Sequence, residues 1–142
     1  MITRQAIIDE ARTWLGVVWR HQGRDRNGID CGGLLIGVAK ALGASDYDIG
    51  NYGKQPDAQN FLRHLEAWGG RRIPLGGALP GDVIAFRDGP FPCHCAIVTE
   101  TGGVRHMIHA DRRLKSVVEE PITREWLANR VAAYRFPGVA DG

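Results

Sequence analysis

The chain has 142 residues, a length typical of a single domain that buries a substantial core, so we expect one domain over residues 1–142. Its 18 lysines and arginines against 16 aspartates and glutamates give a formal net charge of +2, too balanced to predict nucleic-acid binding. No apolar run is long enough to predict membrane insertion, and an odd count of three cysteines argues against a disulfide framework.

The N-terminal part predicts a helix followed by a polar loop. Thr3 can cap a helix that ends at Gly16, because apolar residues recur between them at helical spacing. Met1 leads directly into this helix without the apolar run of a signal peptide, so we expect no export signal. The segment 17–29 is rich in glycine, aspartate and arginine, and we interpret it as a loop that lines a site.

The next segment places a thiol on a glycine-rich turn where an apolar helix begins, over about 31–42. The unpaired amides and the dipole at a helix start lower the pKa of a thiol below its free value of about 8.5, which favours the nucleophilic thiolate. Gly32 and Gly33 allow a substrate backbone to approach, and the Cys31 amide can point at a developing oxyanion. A free cysteine is also often a plain core residue, so this pattern needs a histidine partner.

Between this central helix and the later strands, the sequence predicts a surface loop and a third helix. Residues 45–55 are polar with interspersed tyrosine and glycine, which indicates a loop that can line a substrate groove. Pro56 is expected to open an amphipathic helix that closes at Gly69.

The C-terminal half predicts an antiparallel sheet. The expected strands are 82–87, 93–100, 103–110, 114–120 and 131–136, with a short helix near 123–128. Helices first and antiparallel strands after predict an α+β domain. A short glycine turn joins the strands that carry His94 and His109, so both histidines should lie on one face. One imidazole can then take the proton of Cys31 while the other orients it.

In order and spacing, these segments resemble the NlpC/P60 cysteine peptidases of bacterial cell-wall turnover. The corresponding segments of this chain are 16–23, 30–33, 80–83, 94–98 and 108–110. The resemblance spans residues 1–136 and implies a papain-like α+β fold, with the nucleophile at the start of a central helix packed on an antiparallel sheet. It implies that Cys31 is the nucleophile, His94 the general base and acid, and His109 the residue that orients His94. We expect no cofactor and no metal.

The chain departs from the family pattern near the expected oxyanion. Trp19 stands where the family has a tyrosine, and an indole donates one hydrogen bond but has no hydroxyl. Gln22 or His21 is a candidate to compensate, and Asp30 is expected to support the turn before the nucleophile. Trp19, Gln22 and Asp30 are therefore the residues predicted to bind substrate.

The resemblance also implies a substrate and a setting. Family members of this kind cleave peptidoglycan stem peptides, and the bond implied here joins D-glutamate to a diamino acid. The short chain without added domains is most similar to the peptidases of phage tails and of phage-like gene transfer agents. We therefore expect synthesis in the bacterial cytoplasm, incorporation into a particle tail beside hub or tip proteins, and delivery to the cell wall.

Three other interpretations remain open. In the first, the chain is a structural tail component that binds the wall without cleaving it, which the missing tyrosine favours. In the second, the chain is a Cys/His acyltransferase or amidase. Cys93, His94 and Cys95, together with His106 and His109, also offer zinc or iron ligands. However, alternate residues of a strand point to opposite faces, which favours both cysteines as core residues opposite the catalytic face.

Other conspicuous residues are assigned structural roles. Asp82 follows Pro80-Gly81 and is expected to form the turn. Trp14, Trp68 and Trp126 recur with apolar residues at helical spacing and are expected to fill the core.

Overall fold

A computed structural model describes residues 2–48, 58–89 and 92–140 of the chain. The helices are α1 (Arg4–Arg12), α2 (Cys31–Ala41), α3 (Ala58–Trp68) and α4 (Arg124–Ala128). The strands are β1 (Arg24–Asp25), β2 (Gly28–Ile29), β3 (Arg71–Ile73), β4 (Val83–Arg87), β5 (Pro92–Thr101), β6 (Val104–Asp111), β7 (Ser116–Pro121) and β8 (Arg130–Arg135). Pro56 and most of the predicted loop 45–55 lie outside the described residues. Within those ranges, none of the helices has the length and apolar character that a membrane span needs.

The main sheet has six strands in the order β3-β8-β4-β5-β6-β7, and every neighbouring pair is antiparallel. A separate two-stranded sheet, β1-β2, precedes α2. The predicted α+β class, with a central helix packed on an antiparallel sheet, is confirmed. The segment 17–29, predicted as a loop, contains the β1-β2 hairpin, and two-residue strands are too short to show alternation in the sequence.

The first helix is shorter than the sequence predicted. Thr3 caps it as expected, with the Ala6 amide donating to its hydroxyl at 3.0 Å. The helix ends at Arg12 rather than Gly16, because the amides of residues 13–15 donate to carbonyls three residues back instead of four. Because apolar residues recur at helical spacing through this tighter turn as well, the sequence pattern does not show that the α-helix ends at Arg12.

The two faces of the main sheet are covered differently. α1 and α2 pack on one face, where fully buried side chains such as Leu34 and Ile97 belong to the larger apolar cluster. Burying one such side chain contributes about 1.5–3 kcal/mol. The opposite face carries a smaller cluster that includes Phe86 and Met107, and Trp126 packs against it. Because strand side chains alternate, neighbouring residues of β5 belong to different clusters.

Asp82 forms a turn, as predicted, and also a buried ion pair. The amide of Leu79 donates to Asp82 Oδ2 at 2.9 Å, which closes the turn. Asp82 Oδ1 accepts a hydrogen bond from Arg4 Nη1 at 2.8 Å and lies 3.6 Å from Arg135 Nε. The carboxylate is fully buried, so this contact joins α1, the turn before β4 and the end of β8 in a region of low dielectric.

Replacing Asp82 by alanine is expected to lower the free energy of unfolding by about 3–5 kcal/mol, because two guanidinium groups lose the buried carboxylate that they face. Urea denaturation measures this loss. The control is Glu100→Ala, which removes an ion pair with Arg105 between side chains 45% and 40% exposed and is expected to cost less than about 1 kcal/mol. Equal effects of the two variants would contradict the assignment.

Candidate active site

Cys31 is the first residue of α2, and Asp30 caps the helix. Asp30 has an extended backbone, and its Oδ1 accepts a hydrogen bond from the Gly33 amide at 2.8 Å. The amides of Cys31 and Gly32 lie in the first helical turn, where no intrahelical acceptor exists. The thiol therefore lies at the positive end of a helix, beside amides that can donate to an anion.

The Asp30 carboxylate also binds the chain that precedes the helix. Its Oδ2 accepts a hydrogen bond from the Gln22 amide at 2.9 Å, and Arg24 Nη1 lies 3.3 Å from its Oδ1. Gln22 has a left-handed backbone with φ of 59°, which turns its amide toward the carboxylate. Asp30 and Gln22 thus shape the turn before Cys31. Their predicted contact with substrate stays a prediction.

Glycines allow the β1-β2 hairpin to pack directly against the start of α2. A Cβ on Gly33 would lie 2.3 Å from the Gly23 carbonyl oxygen, and a Cβ on Gly23 would lie 2.2 Å from the Gly28 carbonyl oxygen. Gly32 is different, because the nearest atom to a Cβ there is Asp30 Oδ1 at 4.0 Å. The close backbone contact therefore requires glycine at position 33, whereas Gly32 borders open space next to the thiol.

Trp19 lies in the segment that leads to the hairpin. It is half-buried, its amide donates to the Lys115 carbonyl at 2.9 Å, and the Arg112 guanidinium carbon lies 5.9 Å from the ring centroid. Trp19 also bridges to Ile29, two residues before Cys31. Its predicted role beside the substrate stays a prediction.

The two histidines meet as the sequence predicted. His94 lies on β5 and His109 on β6, and the register that pairs Ile97 with Ile108 puts both imidazoles on one face of the sheet. His94 Nε2 and His109 Nδ1 are hydrogen-bonded at 2.8 Å. His109 is fully buried and His94 is 8% exposed, so only His94 retains access to solvent.

Trp126 covers this histidine pair and was predicted only as a core residue. It is half-buried, and its ring stacks on His94 with centroids 4.9 Å apart and an interplanar angle of 25°. The edge of His109 faces the same ring at 5.9 Å. Helical spacing could not identify this contact, because Trp126 on α4 and His94 on β5 are distant in the chain and only the tertiary fold brings them together.

Glu120 is a second residue that sequence reasoning missed. It lies on β7, and its Oε2 is hydrogen-bonded to His109 Nε2 at 2.8 Å. The available signal was a pair of glutamates in a predicted strand next to the strand of His109. The strand register, which the sequence does not reveal, decides which of the two carboxylates reaches the imidazole.

The cysteines of β5 meet the expectation only in part. Cys95 is buried on the helix-covered face, opposite His94. This confirms the prediction that Cys95 is a core residue opposite the catalytic histidines, and because α2 begins against β5, Cys95 also acts on the Cys31 thiol. Cys93 is half-buried rather than core, and its carbonyl lies 3.7 Å from Cys31 Sγ.

These contacts favour the thiolate of Cys31. The hydrogen bond from Cys95, together with the hydrogen bond and charge of His94, lowers the pKa of Cys31 to about 5, although burial and the charge of Asp30 act in the opposite direction. The same hydrogen bond, followed by burial, raises the pKa of Cys95 well above its usual range, so Cys95 stays a protonated donor. Burial, together with the charge of His94, lowers the pKa of His109.

The metal-ligand set considered from the sequence is not the one that the fold assembles. In the described ranges, the side chains grouped closely enough to hold an ion are His109, Asp111 and Glu120, whose ligand atoms lie within 4.8 Å of one another. Their atoms already have protein partners, since His109 is hydrogen-bonded to Glu120 and Asp111 accepts from the Arg113 amide at 2.9 Å. His106 is hydrogen-bonded through Nδ1 to the Val104 carbonyl at 2.9 Å.

Alkylation of Cys31 by iodoacetamide is expected to show a midpoint near pH 5, because the thiolate reacts and the pKa of Cys31 is lowered to about that value. Cys95→Val removes the donor and is expected to move the midpoint upward. Cys95→Ser keeps a hydroxyl donor and is expected to stay closer to the unmodified protein. Mass spectrometry of the Cys31 peptide separates its reaction from that of Cys93. A midpoint near 8.5 in the unmodified protein would contradict the assignment.

Two neighbouring glycines give a matched test of the packing at the helix start. Gly33→Ala is expected to lower the free energy of unfolding by about 1–3 kcal/mol, because its Cβ meets the Gly23 carbonyl. Gly32→Ala points into open space and is expected to be neutral or stabilising by up to about 1 kcal/mol. Urea denaturation compares the variants, and a Gly33→Ala protein as stable as Gly32→Ala would disprove the close packing.

Solved structures similar to this chain have the same fold. The NlpC/p60 domain of the peptidoglycan hydrolase SagA is 26% identical with a TM-score of 0.65, and the match covers 94% of this chain and 98% of that one. An NlpC/P60 family protein from Bacillus cereus is 21% identical with a TM-score of 0.71, and the match covers 96% of this chain but 41% of that one. At 12% identity and a TM-score of 0.60, an N-acetylmuramoyl-L-alanine amidase from Bacteroides uniformis shares the fold over 94% of this chain and 98% of its own.

No curated protein matches the chain. The model of the NlpC/P60 family matches residues 16–135, which include the β1-β2 hairpin, the start of α2 and the strands that carry both histidines. Because that match spans most of the sequence and agrees with the fold, this chain belongs to the NlpC/P60 family.

Proposed function

We propose that the chain is a cysteine peptidase that hydrolyses peptidoglycan stem peptides. The observation that carries the proposal is the association of a thiol of lowered pKa, Cys31, with the hydrogen-bonded pair His94 and His109. A thiolate beside an imidazole that a second group orients is the arrangement of a nucleophilic acyl-transfer site. The similar SagA domain belongs to a peptidoglycan hydrolase, which supports the substrate class.

In the first half of the reaction, the Cys31 thiolate attacks the carbonyl carbon of the scissile amide. A carbon–sulfur bond forms, and the carbonyl electron pair moves onto oxygen. The amides of Cys31 and Gly32, which have no intrahelical acceptor, can donate to this oxyanion. The helix dipole acts in the same direction, since it favours negative charge at its first turn.

In the second half, the oxyanion collapses and the carbon–nitrogen bond breaks. The His94 imidazolium gives its proton to the leaving amine, and a thioester of Cys31 remains. Neutral His94 then takes a proton from water, whose oxygen attacks the thioester. The acid product leaves, and the thiolate and imidazolium are restored. The stacked ring of Trp126 limits rotation of His94 through both proton transfers.

The bond that we propose is the one between D-glutamate and a diamino acid of the stem peptide, on the basis of the family resemblance. We also propose that the protein is made in the bacterial cytoplasm, docks on hub or tip proteins of a phage-like tail and opens the wall locally. The resemblance to the short peptidases of phage tails and gene transfer agents supports this setting.

Incubation with purified peptidoglycan is expected to release stem-peptide fragments with new free amines, detected by mass spectrometry. Cys31→Ala and His94→Ala are expected to abolish the release. His106→Ala is the matched control, because that imidazole is hydrogen-bonded to the Val104 carbonyl and not to the site, and it is expected to keep activity.

Other products would replace the proposal with a different function. A free lactyl group on muramic acid would indicate an amidase, and an acyl group moved to a second amine would indicate a transferase. Binding to the wall without products would indicate a structural protein. The proposed setting is tested separately by probing purified particles with an antibody, and finding the protein only outside particles would contradict it.

A further inference from the structure

We propose that Glu120 is a positioning residue that sets the direction of the hydrogen bonds from Glu120 through His109 to His94, and so determines which nitrogen His94 offers to Cys31. The inference rests on the proposed cysteine chemistry and adds to it a residue outside the three that the family resemblance implies. The hydrogen bond of Glu120 is to His109, which is in turn bonded to His94, so its effect on Cys31 passes through these imidazoles.

The sheet arranges these side chains in a row across three adjacent strands. The β6-β7 register pairs Met107 with Glu120 and His109 with Val118, so Glu120 is the diagonal neighbour of His109 on the same face. Glu120 Oε2 lies 2.8 Å from His109 Nε2, and His109 Nδ1 lies 2.8 Å from His94 Nε2. Each contact has the length of a direct hydrogen bond, which allows a proton preference at one end to be passed to the other.

The carboxylate decides which nitrogen of each imidazole carries a proton. An ionised carboxylate only accepts hydrogen bonds, so His109 must donate to Glu120 from Nε2. Burial and the charge of His94 lower the pKa of His109, which keeps this ring neutral with an unprotonated Nδ1. His94 must then donate to that atom from Nε2. Neutral His94 is left with its lone pair on Nδ1, the nitrogen that remains to accept the proton of Cys31.

The charge of Glu120 adds to this geometric effect. When His94 accepts a proton it becomes a cation, and a carboxylate at the far side of His109 stabilises that cation across a buried, low-dielectric path. A more stable imidazolium lowers the pKa of the Cys31 thiol. Loss of Glu120 is therefore expected to impair the base and to raise the pH at which the thiolate forms.

Other charged groups lie near the same imidazoles, and their effects must be distinguished from that of Glu120. Asp111, on the strand of His109, has a ligand atom within 4.8 Å of those of His109 and Glu120 and accepts a hydrogen bond from the Arg113 amide. The Arg113 guanidinium carbon lies 5.6 Å from the centroid of Trp126, the ring that stacks on His94. From the helix side, Cys95 and Asp30 act on the pKa of Cys31, and burial, together with the charge of Cys31, raises the pKa of Cys93.

The adjacent glutamate provides a matched control. Glu119 is hydrogen-bonded to Arg12 at 2.9 Å and to the Thr99 hydroxyl at 2.8 Å, and as the next residue of the strand it lies on the face opposite Glu120 and His109. Glu119→Gln and Glu120→Gln therefore make the same chemical change on the same strand, but only the second alters the row of hydrogen bonds. Glu119→Gln is expected to leave the activity and the alkylation midpoint unchanged.

The experiment measures peptidoglycan hydrolysis and the pH profile of Cys31 alkylation in Glu120→Gln and Glu120→Leu. Leucine removes the acceptor and is expected to lower kcat with little change in KM, by about the 10- to 100-fold that loss of the partner of a metal-ligating histidine costs. Glutamine keeps an acceptor oxygen but no charge, so a smaller loss is expected. Both variants are expected to move the alkylation midpoint upward, and Asp111→Asn is expected to move it less.

Nitrogen-15 NMR of the histidines supplies a readout that simple destabilisation would not change. The unmodified protein is expected to show a proton on His109 Nε2, and Glu120→Leu is expected to lose that preference. If Glu120→Leu does not fold, Glu120→Gln gives the same comparisons. An unchanged alkylation midpoint together with an unchanged tautomer in a folded Glu120 variant would overturn the proposal.

These two measurements need no wall substrate, so they separate this inference from the proposed function. Shifts in midpoint and tautomer without hydrolysis by any form of the protein would contradict the peptidase and support the role of Glu120. Hydrolysis that persists unchanged in a Glu120 variant, with no shift in alkylation midpoint or tautomer, would support the peptidase and contradict the role of Glu120.

Discussion

The position of the candidate active site depends on the Asp30 carboxylate at the start of α2. It accepts hydrogen bonds from the Gly33 amide inside the helix and from the Gln22 amide before it, and Arg24 lies beside it. These contacts set where the helix begins and therefore where Cys31 projects. The negative charge of Asp30 also raises the pKa of the Cys31 thiol, so the thiolate forms at neutral pH only if other groups near Cys31 favour it. Cys95 and His94 supply that opposing effect.

The antiparallel sheet determines how those donors reach the thiol. β5 carries Cys95 toward the helices and His94 toward the opposite face, and Cys31 contacts the strand between them. The buried apolar side of α2 packs the helix against the sheet, which keeps the start of the helix close to β5. On the His94 face, Trp126 and His109 restrict the imidazole by stacking and by hydrogen bonding. The start of α2 thus places Cys31 where residues from both faces of β5 act on it.

Much of this arrangement could be predicted from local signals. A glycine-rich turn before an apolar run identified the helix start at Cys31, and a glycine turn between two strands brought His94 and His109 together. The contacts of Cys95, Trp126 and Glu120 could not be predicted in the same way. Each joins segments that are distant in the chain, and alternation along a strand says which residues share a face but not which element covers that face.

The sequence by itself determined the α+β class, the helix that begins at Cys31 and the antiparallel pair of histidine strands, because capping, periodicity and turn chemistry act over a few neighbouring residues. Only the tertiary structure decided that a core cysteine, Cys95, helps to lower the pKa of the predicted nucleophile and that Glu120 rather than Glu119 reaches His109. Those outcomes depend on strand register and on where a helix end meets a sheet. A shift of one residue in register would move every side chain of the strand to the other face.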